Sequence, residues 1–146
     1  MSDQEVLALK VPPHSVEAEQ SVLGGLLLDN TAWDRVADFM NESDLYRPDH
    51  KIIYQHITRL IGSNKPADAI TVAESLESTK ELEQVGGLSY LGALAQNTPS
   101  VANIRRYAEI VRERSILRKL ADTAAAISDT AYTPMCQEAG QVLYEA

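Results

Sequence analysis

The chain has 146 residues, 45% hydrophobic and 23% charged, with seven glycines and six prolines, a composition that excludes a disordered or low-complexity segment. One compact domain with a tail is the natural expectation, because a chain this long buries roughly 70% of its unfolded surface without help from a disulfide or a metal. The net charge of −8 argues against a nucleic-acid sheath over the whole surface. Apolar runs reach only about four or five residues, far short of the roughly 20 needed to cross a bilayer. Cys136 is the only cysteine, so no internal disulfide forms, as suits a reducing cytosol.

Residues 1–14 read as a flexible arm that stops at Pro12-Pro13, with acids near the front and no apolar core of the kind a signal peptide carries. From Ser15 onward every element reads as helix. Ser15 is placed to cap a helix whose apolar face is Val16, Val22, Leu23, Leu26 and Leu27. Glu17 and Glu19 read as solvated acids at its positive end. Gly24-Gly25 costs helix propensity, so close approach of another helix is expected there. Thr31 with Asp34 resembles a capping box ahead of Trp33, Val36, Ala37 and Met40 on one face.

Residues 41–50 read as a loop or short turn, and Pro48 suits the first position of a helix whose apolar side is Ile53, Ile57, Leu60 and Ile61. Gly62 is its expected stop. Thr71 with Glu74 reads as a capping box opening a helix through Leu76. Gly86-Gly87 breaks the pattern before a helix carrying Leu88, Leu91 and Leu94. From Asn103 to Ala131 there is neither glycine nor proline, which allows one helix of about 40 Å. Leu117, Leu120, Ala124, Ile127 and Ala131 recur at alternating steps of three and four, the spacing of a coiled-coil seam. Thr133-Pro134 reads as a turn into a second helix, so the tail is expected to be a helical hairpin. Val142, Leu143 and Tyr144 have no cap or charged tail after them, which reads as a piece of something longer. The fold class is therefore all-α, a compact helical globule over 15–102 followed by a long hairpin over 103–146.

Catalytic chemistry finds no constellation. Gly87 to Gly92 has the glycine spacing of a phosphate loop, but Ala93-Leu94 follow where lysine and a hydroxyl are needed. His14, His50 and His56 lack metal-ligand spacing and read as surface or hydrogen-bonded histidines. Glu17/Glu19 and Glu81/Glu83 read as solvated helix ends without a nucleophile. No catalytic, cofactor-binding or metal site is expected.

Two features remain. Residues 101–120 carry Arg105, Arg106, Arg112, Arg114, Arg118 and Lys119 against Glu109 and Glu113, a basic segment in an acidic protein. Helix-surface ion pairs, contact with single-stranded nucleic acid and an acidic protein partner all stay open for it. The seam closes either on the following helix or on another subunit, and a projecting hairpin favours the subunit.

Three stretches resemble DnaB-type replicative helicases in order and spacing: VPPHSVEAEQSVLGGLLLDN at 11–30, VGGLSYLGALAQNTPSVANI at 85–104 and YAEIVRERSILRKL at 107–120. The resemblance implies the N-terminal domain of a two-tier hexameric ring that hydrolyses ATP and unwinds DNA 5′ to 3′ at the replication fork. It implies hairpins that pair between neighbours into dimers and a trimer-of-dimers collar. It also implies docking of the C-terminal domain of primase, a role in helicase loading, and a cytoplasmic, nucleoid-associated location. ATP and magnesium would sit in a separate motor domain with its own P-loop and arginine finger, with DNA contact through the full ring. Under that resemblance Ile110, Leu117, Leu120, Ala124 and Ile127 are the candidates for subunit or primase contact. Arg105, Arg106, Arg112, Arg114 and Arg118 are candidates for ion pairing or DNA contact. A single-strand-binding module and a stand-alone helical adaptor are the rival readings.

Overall fold

The computed structural model describes residues 11–133, 140 and 143. Among them are six α-helices and no strand: α1 (Val16–Leu28), α2 (Trp33–Val36), α3 (Pro48–Gly62), α4 (Ala69–Ser78), α5 (Gly87–Gln96) and α6 (Ile104–Tyr132). Short 3-10 turns at Asn30–Ala32, Glu42–Asp44 and Glu83–Val85 join them. Most of the expected arm, Cys136 and nearly all of the expected second hairpin helix lie outside the described residues, although Gly140 and Leu143 are helical. The described residues fall into two compact units, one over His14–Ser115 and one that takes in residues 11–13 with the part of α6 from Ile116 onward.

The centre of the His14–Ser115 unit is α1. Ser15 caps it, its hydroxyl accepting the Ala18 N–H at 3.2 Å. The helix is buried nearly all round, from Ala18 and Glu19 through Ser21 to Leu27, because α3 and α5 both pack on it. That corrects the expectation of a single apolar face, and it leaves Val16 only half-buried. A Cβ on Gly24 would overlap the Leu94 carbonyl and the Thr98 hydroxyl, and one on Gly25 would lie 2.9 Å from Ile104 Cδ1. The glycine pair is where the ends of α5 and the start of α6 press against α1, as its position in the apolar pattern suggests.

Several caps differ from expectation. Asp29, not Thr31, caps the turn after α1: its Oδ1 accepts from the Thr31 N–H at 3.0 Å and the Thr31 hydroxyl at 2.6 Å. Asp68 caps α4, accepting from Ile70 N at 3.0 Å and Thr71 N at 2.8 Å, while Thr71 Oγ1 takes the Asp68 N–H at 2.8 Å. Thr71 thus occupies the third position of the helix and answers the cap. In both places an extended-backbone aspartate precedes the threonine and offers a charged acceptor to the positive helix end. α2 is a single turn, which leaves Ala37 exposed while Met40 is buried by the chain that follows. Leu88 is half exposed, because steps of three fall about 60° short of a full turn and carry it off the face shared by Leu91 and Leu94. α3 begins with Pro48 and ends on Gly62, but the left-handed residue beyond it is Asn64 at φ 58°. Gly86 and Gly87 at φ 101° and 73° admit the chain into α5 through a conformation that side chains with a Cβ resist.

The long helix does not begin as a free arm. Ile104, Ala108, Val111 and Ser115 are buried in the core of the His14–Ser115 unit. The Ser115 hydroxyl donates to the buried Asp44 carboxylate at 2.8 Å, and the Arg112 guanidinium donates to the Phe39 carbonyl at 3.0 Å. The first three turns from Ile104 therefore belong to the globule, and the helix leaves that unit after Ser115.

Candidate partner interface

At 100° per residue, α6 carries two apolar stripes on different faces. Ile104, Ala108, Val111 and Ser115 make the buried one. Leu117, Leu120, Ala124 and Ile127 make the other, roughly 170° away around the axis. Leu117, Leu120 and Ile127 are 45%, 64% and 39% exposed, with Ile116 and Ala124 exposed beside them. Ile110 is half-buried against the globule core, so of the five candidate contact residues it alone is already largely covered. Side chains of this size contribute about 1.5–3 kcal/mol each when removed from water.

The basic segment is engaged partly along its own helix and partly with carbonyls outside it. Arg105 pairs with Glu109 at 3.7 Å, and Arg106 pairs with Glu109 at 3.3 Å and Glu113 at 3.5 Å. The Arg105 guanidinium also stands 4.5 Å over the Phe39 ring. Arg112 holds the Phe39 carbonyl, and Arg118 donates to the Pro13 carbonyl at 2.8 Å. Arg114 is half-buried. Such exposed pairs stabilise a helix by about half a kcal/mol or less each.

The sequence reading missed the polar residues in the core. Glu19, expected at a solvated helix end, is 1% exposed; His50 and His56 are sealed off as well. Glu19 accepts from Tyr46 N at 2.7 Å and faces His50 Nδ1 at 2.8 Å, and His50 Nε2 meets the Tyr90 hydroxyl at 2.6 Å. His56 lies between Ser75 Oγ at 2.7 Å and Glu81 Oε1 at 3.0 Å. The signal was present: Glu19 precedes Val22, Leu23 and Leu26 by three, four and seven residues, and His50 precedes Ile53, Tyr54 and Ile57 by the same steps, so both stand on buried faces.

Ser75, His56 and Glu81 are hydrogen-bonded in the order of a nucleophile, base and acid. Ser75, however, sits inside α4, where the backbone N–H groups are spent on the helix and cannot stabilise an oxyanion. Among the described residues no cluster of histidine, cysteine or carboxylate could hold a metal ion, and no helix is long and apolar enough to cross a membrane.

Fold and site together define an all-helical domain whose longest helix carries an exposed apolar stripe. Residues 11–113 match the family described as the DnaB-like helicase N terminal domain. The chain is 40% identical over 145 residues to the replicative DNA helicase DnaB of Haemophilus influenzae, an alignment covering 99% of this chain and 31% of that protein. It is similar to the crystal structure of the N-terminal domain of DnaB helicase from Mycobacterium tuberculosis, with a TM-score of 0.85, 37% identity and coverage of 92% of this chain and 94% of that one. A DnaB-like replicative helicase whose structure was described with its interactions with primase matches at a TM-score of 0.71 and 26% identity, covering 90% of this chain and 31% of that one. The chain belongs to the DnaB-like helicase N-terminal domain family, and it is the non-catalytic domain of that family. It spans about three tenths of the length of the curated relatives it matches.

Proposed function

We propose that this domain assembles the subunits of a replicative helicase ring and docks primase on the assembled collar. The carrying observation is the exposed seam of Leu117, Leu120, Ala124 and Ile127 on α6. Steps of three and four suit it to a second copy of itself in knobs-into-holes packing. Pairing gives dimers, and in a longer protein a trimer of dimers within a hexamer. The paired surface then presents a composite site for the C-terminal domain of primase and, during loading, for a helicase loader. A similar structure described together with primase supports that partner. ATP and magnesium belong to the motor domain of such a longer protein, which would unwind DNA 5′ to 3′ in the cytoplasm, at the nucleoid, and contact DNA through the ring. Direct DNA binding by this domain is disfavoured by the ion pairs that occupy Arg105 and Arg106.

Light scattering or sedimentation at high micromolar concentration tests the seam. The wild-type chain should exceed its monomer mass of 16.0 kDa, and Leu120→Asp should return it to that mass. Burying an unpaired carboxylate costs several kcal/mol, so association should weaken by about a hundredfold or more. Because Leu120 is exposed in the single chain, the variant should keep its helical signal and melting temperature. A wild-type chain that stays monomeric, or a Leu120→Asp chain that associates equally well, defeats this reading.

A further inference from the structure

The chain between α2 and α3 is held in a fixed turn by Asn41. Its N–H donates to the buried Asp44 carboxylate at 2.9 Å, and its side-chain oxygen accepts the Ser43 N–H at 3.0 Å and the Ser43 hydroxyl. That turn places the exposed Glu42 beside an open hollow of about 370 Å³, which Trp33, Ala37, Met40, Tyr54 and Thr58 also line. The Trp33 and Tyr54 rings stand 5.9 Å apart between centroids and are tilted by 56°. Tyr54 and Met40 are buried and tied together, the Tyr54 hydroxyl donating to the Met40 carbonyl at 3.3 Å, so the inner side of the hollow is rigid. Trp33 is only half-buried and Ala37 is exposed. All of these residues belong to the His14–Ser115 unit.

We propose that this hollow docks a basic side chain, arginine or lysine, of a partner protein, its aliphatic stem against Ala37 and Trp33 and its charge beside the Glu42 carboxylate. Cations are drawn to the faces of aromatic rings, tryptophan above all, and the long stems of basic side chains cover apolar surface while the charge stays outside. Glu42 has capacity to receive such a charge, because among the described residues its side chain makes no hydrogen bond or ion pair. No basic residue lines the hollow. Residues 29–44 carry Asp29, Asp34, Asp38, Glu42 and Asp44 against Arg35 alone, and Arg35 acts on Asp29 at the far end of that stretch.

The local field has the same sign. Burial first, and then the nearby Asp44 and Glu42 carboxylates, hold the Tyr54 hydroxyl well above the ordinary tyrosine range. Other guests fit less well. A purely apolar side chain would strip water from Glu42 and return no charge to it, and an anion would meet repulsion from Glu42 and Asp44 alike. A cation with an apolar stem satisfies the aromatic wall and the carboxylate together. The hollow is therefore a second docking feature, distinct in chemistry from the apolar seam on α6.

Trp33 is the only tryptophan in the chain, so its emission reports the hollow directly. The whole chain is titrated with N-acetylarginine amide and, separately, with N-acetylcitrulline amide, which has nearly the same shape and no charge. The arginine probe should change Trp33 emission saturably and move the backbone amide NMR signals of Ala37, Asn41 and Thr58; the citrulline probe should do neither. Glu42→Gln should weaken the arginine probe about threefold or more, the effect of losing one exposed carboxylate partner. Glu42 is exposed, so that variant should fold as the wild type does. Glu77→Gln removes the same charge from an exposed site on α4 and should leave the affinity unchanged. The proposal is overturned by the absence of a saturable response, by citrulline binding as well as arginine, or by Glu77→Gln weakening binding as much as Glu42→Gln. A Trp33 emission that shifts with the concentration of the Leu120→Asp chain alone would make a second copy the guest and overturn it as well.

Discussion

Two histidines six residues apart on α3 each engage both ring nitrogens. His50 meets Glu19 through Nδ1 and the Tyr90 hydroxyl through Nε2; His56 meets the Ser75 hydroxyl through Nδ1 and Glu81 through Nε2. Each ring thereby spends both nitrogens, which is what allows an imidazole to be buried without cost in unpaired polar atoms. Glu81 is the half-buried outer end of the second arrangement. The Thr79 hydroxyl at 2.6 Å, and after it His56, hold its carboxyl below the ordinary value of 4.5. A depressed carboxyl stabilises the fold above its unfolded value, and that stabilisation is lost as pH falls through the folded one. Glu81→Gln should therefore melt lower than wild type at neutral pH, and the gap should close as the buffer is taken below 4.5, read by thermal denaturation across pH. Equal gaps at both ends would show that charge plays no part. The positions of Glu19 and His50 on apolar faces were legible as spacing, but their pairing was not. It joins residues 31 apart in the chain, and periodicity within one helix says nothing about which helix will stand opposite.

At the scale of elements, the crossing of α1 with α5 is fixed by the absence of one side chain. Gly24→Ala would drive a methyl into the Leu94 carbonyl, which is backbone and cannot step aside, and should cost about 1–3 kcal/mol or more. Gly92 in α5 has nothing within 4 Å of a Cβ, and Gly92→Ala should stabilise by up to about 1 kcal/mol through helix propensity. Urea midpoints moving in opposite directions would verify the pair; a tolerated Gly24→Ala would mean that α1 and α5 can separate without loss. Helices were readable because their apolar residues repeat, and the glycine pair was readable as a cost that only packing offsets. Caps were read two or three residues late at Thr31 and Thr71, because an aspartate earlier in the chain competes for the same N–H groups and wins by charge.

For the molecule as a whole, the all-helical class followed from composition and period, and the family from three long stretches of sequence. What local pattern could not supply was the point at which α6 stops being core. Its first half and its second have similar apolar content, and only the globule's own residues, Phe39 and Asp44 among them, decide that Ser115 is inside. The two halves should differ in solution. Hydrogen exchange at low concentration should find the amides around Ala108 to Ser115 protected and those from Leu120 to Ala131 open, because all of the latter but Thr130 carry exposed side chains. Raising the concentration should slow exchange in the second stretch and leave the first unchanged. Uniform protection at every concentration would remove the need for a partner.

A helix carries phase as well as length. α6 runs for 29 residues without glycine or proline, so nothing between Ser115 and Leu117 can absorb a rotation. A single inserted residue there would turn the seam by about 100° relative to the buried stripe, while seven would return it to within about 20°. The phase of the seam around α6 is thus written in a count of residues, and chain length across this stretch is constrained even where the identity of each residue is not.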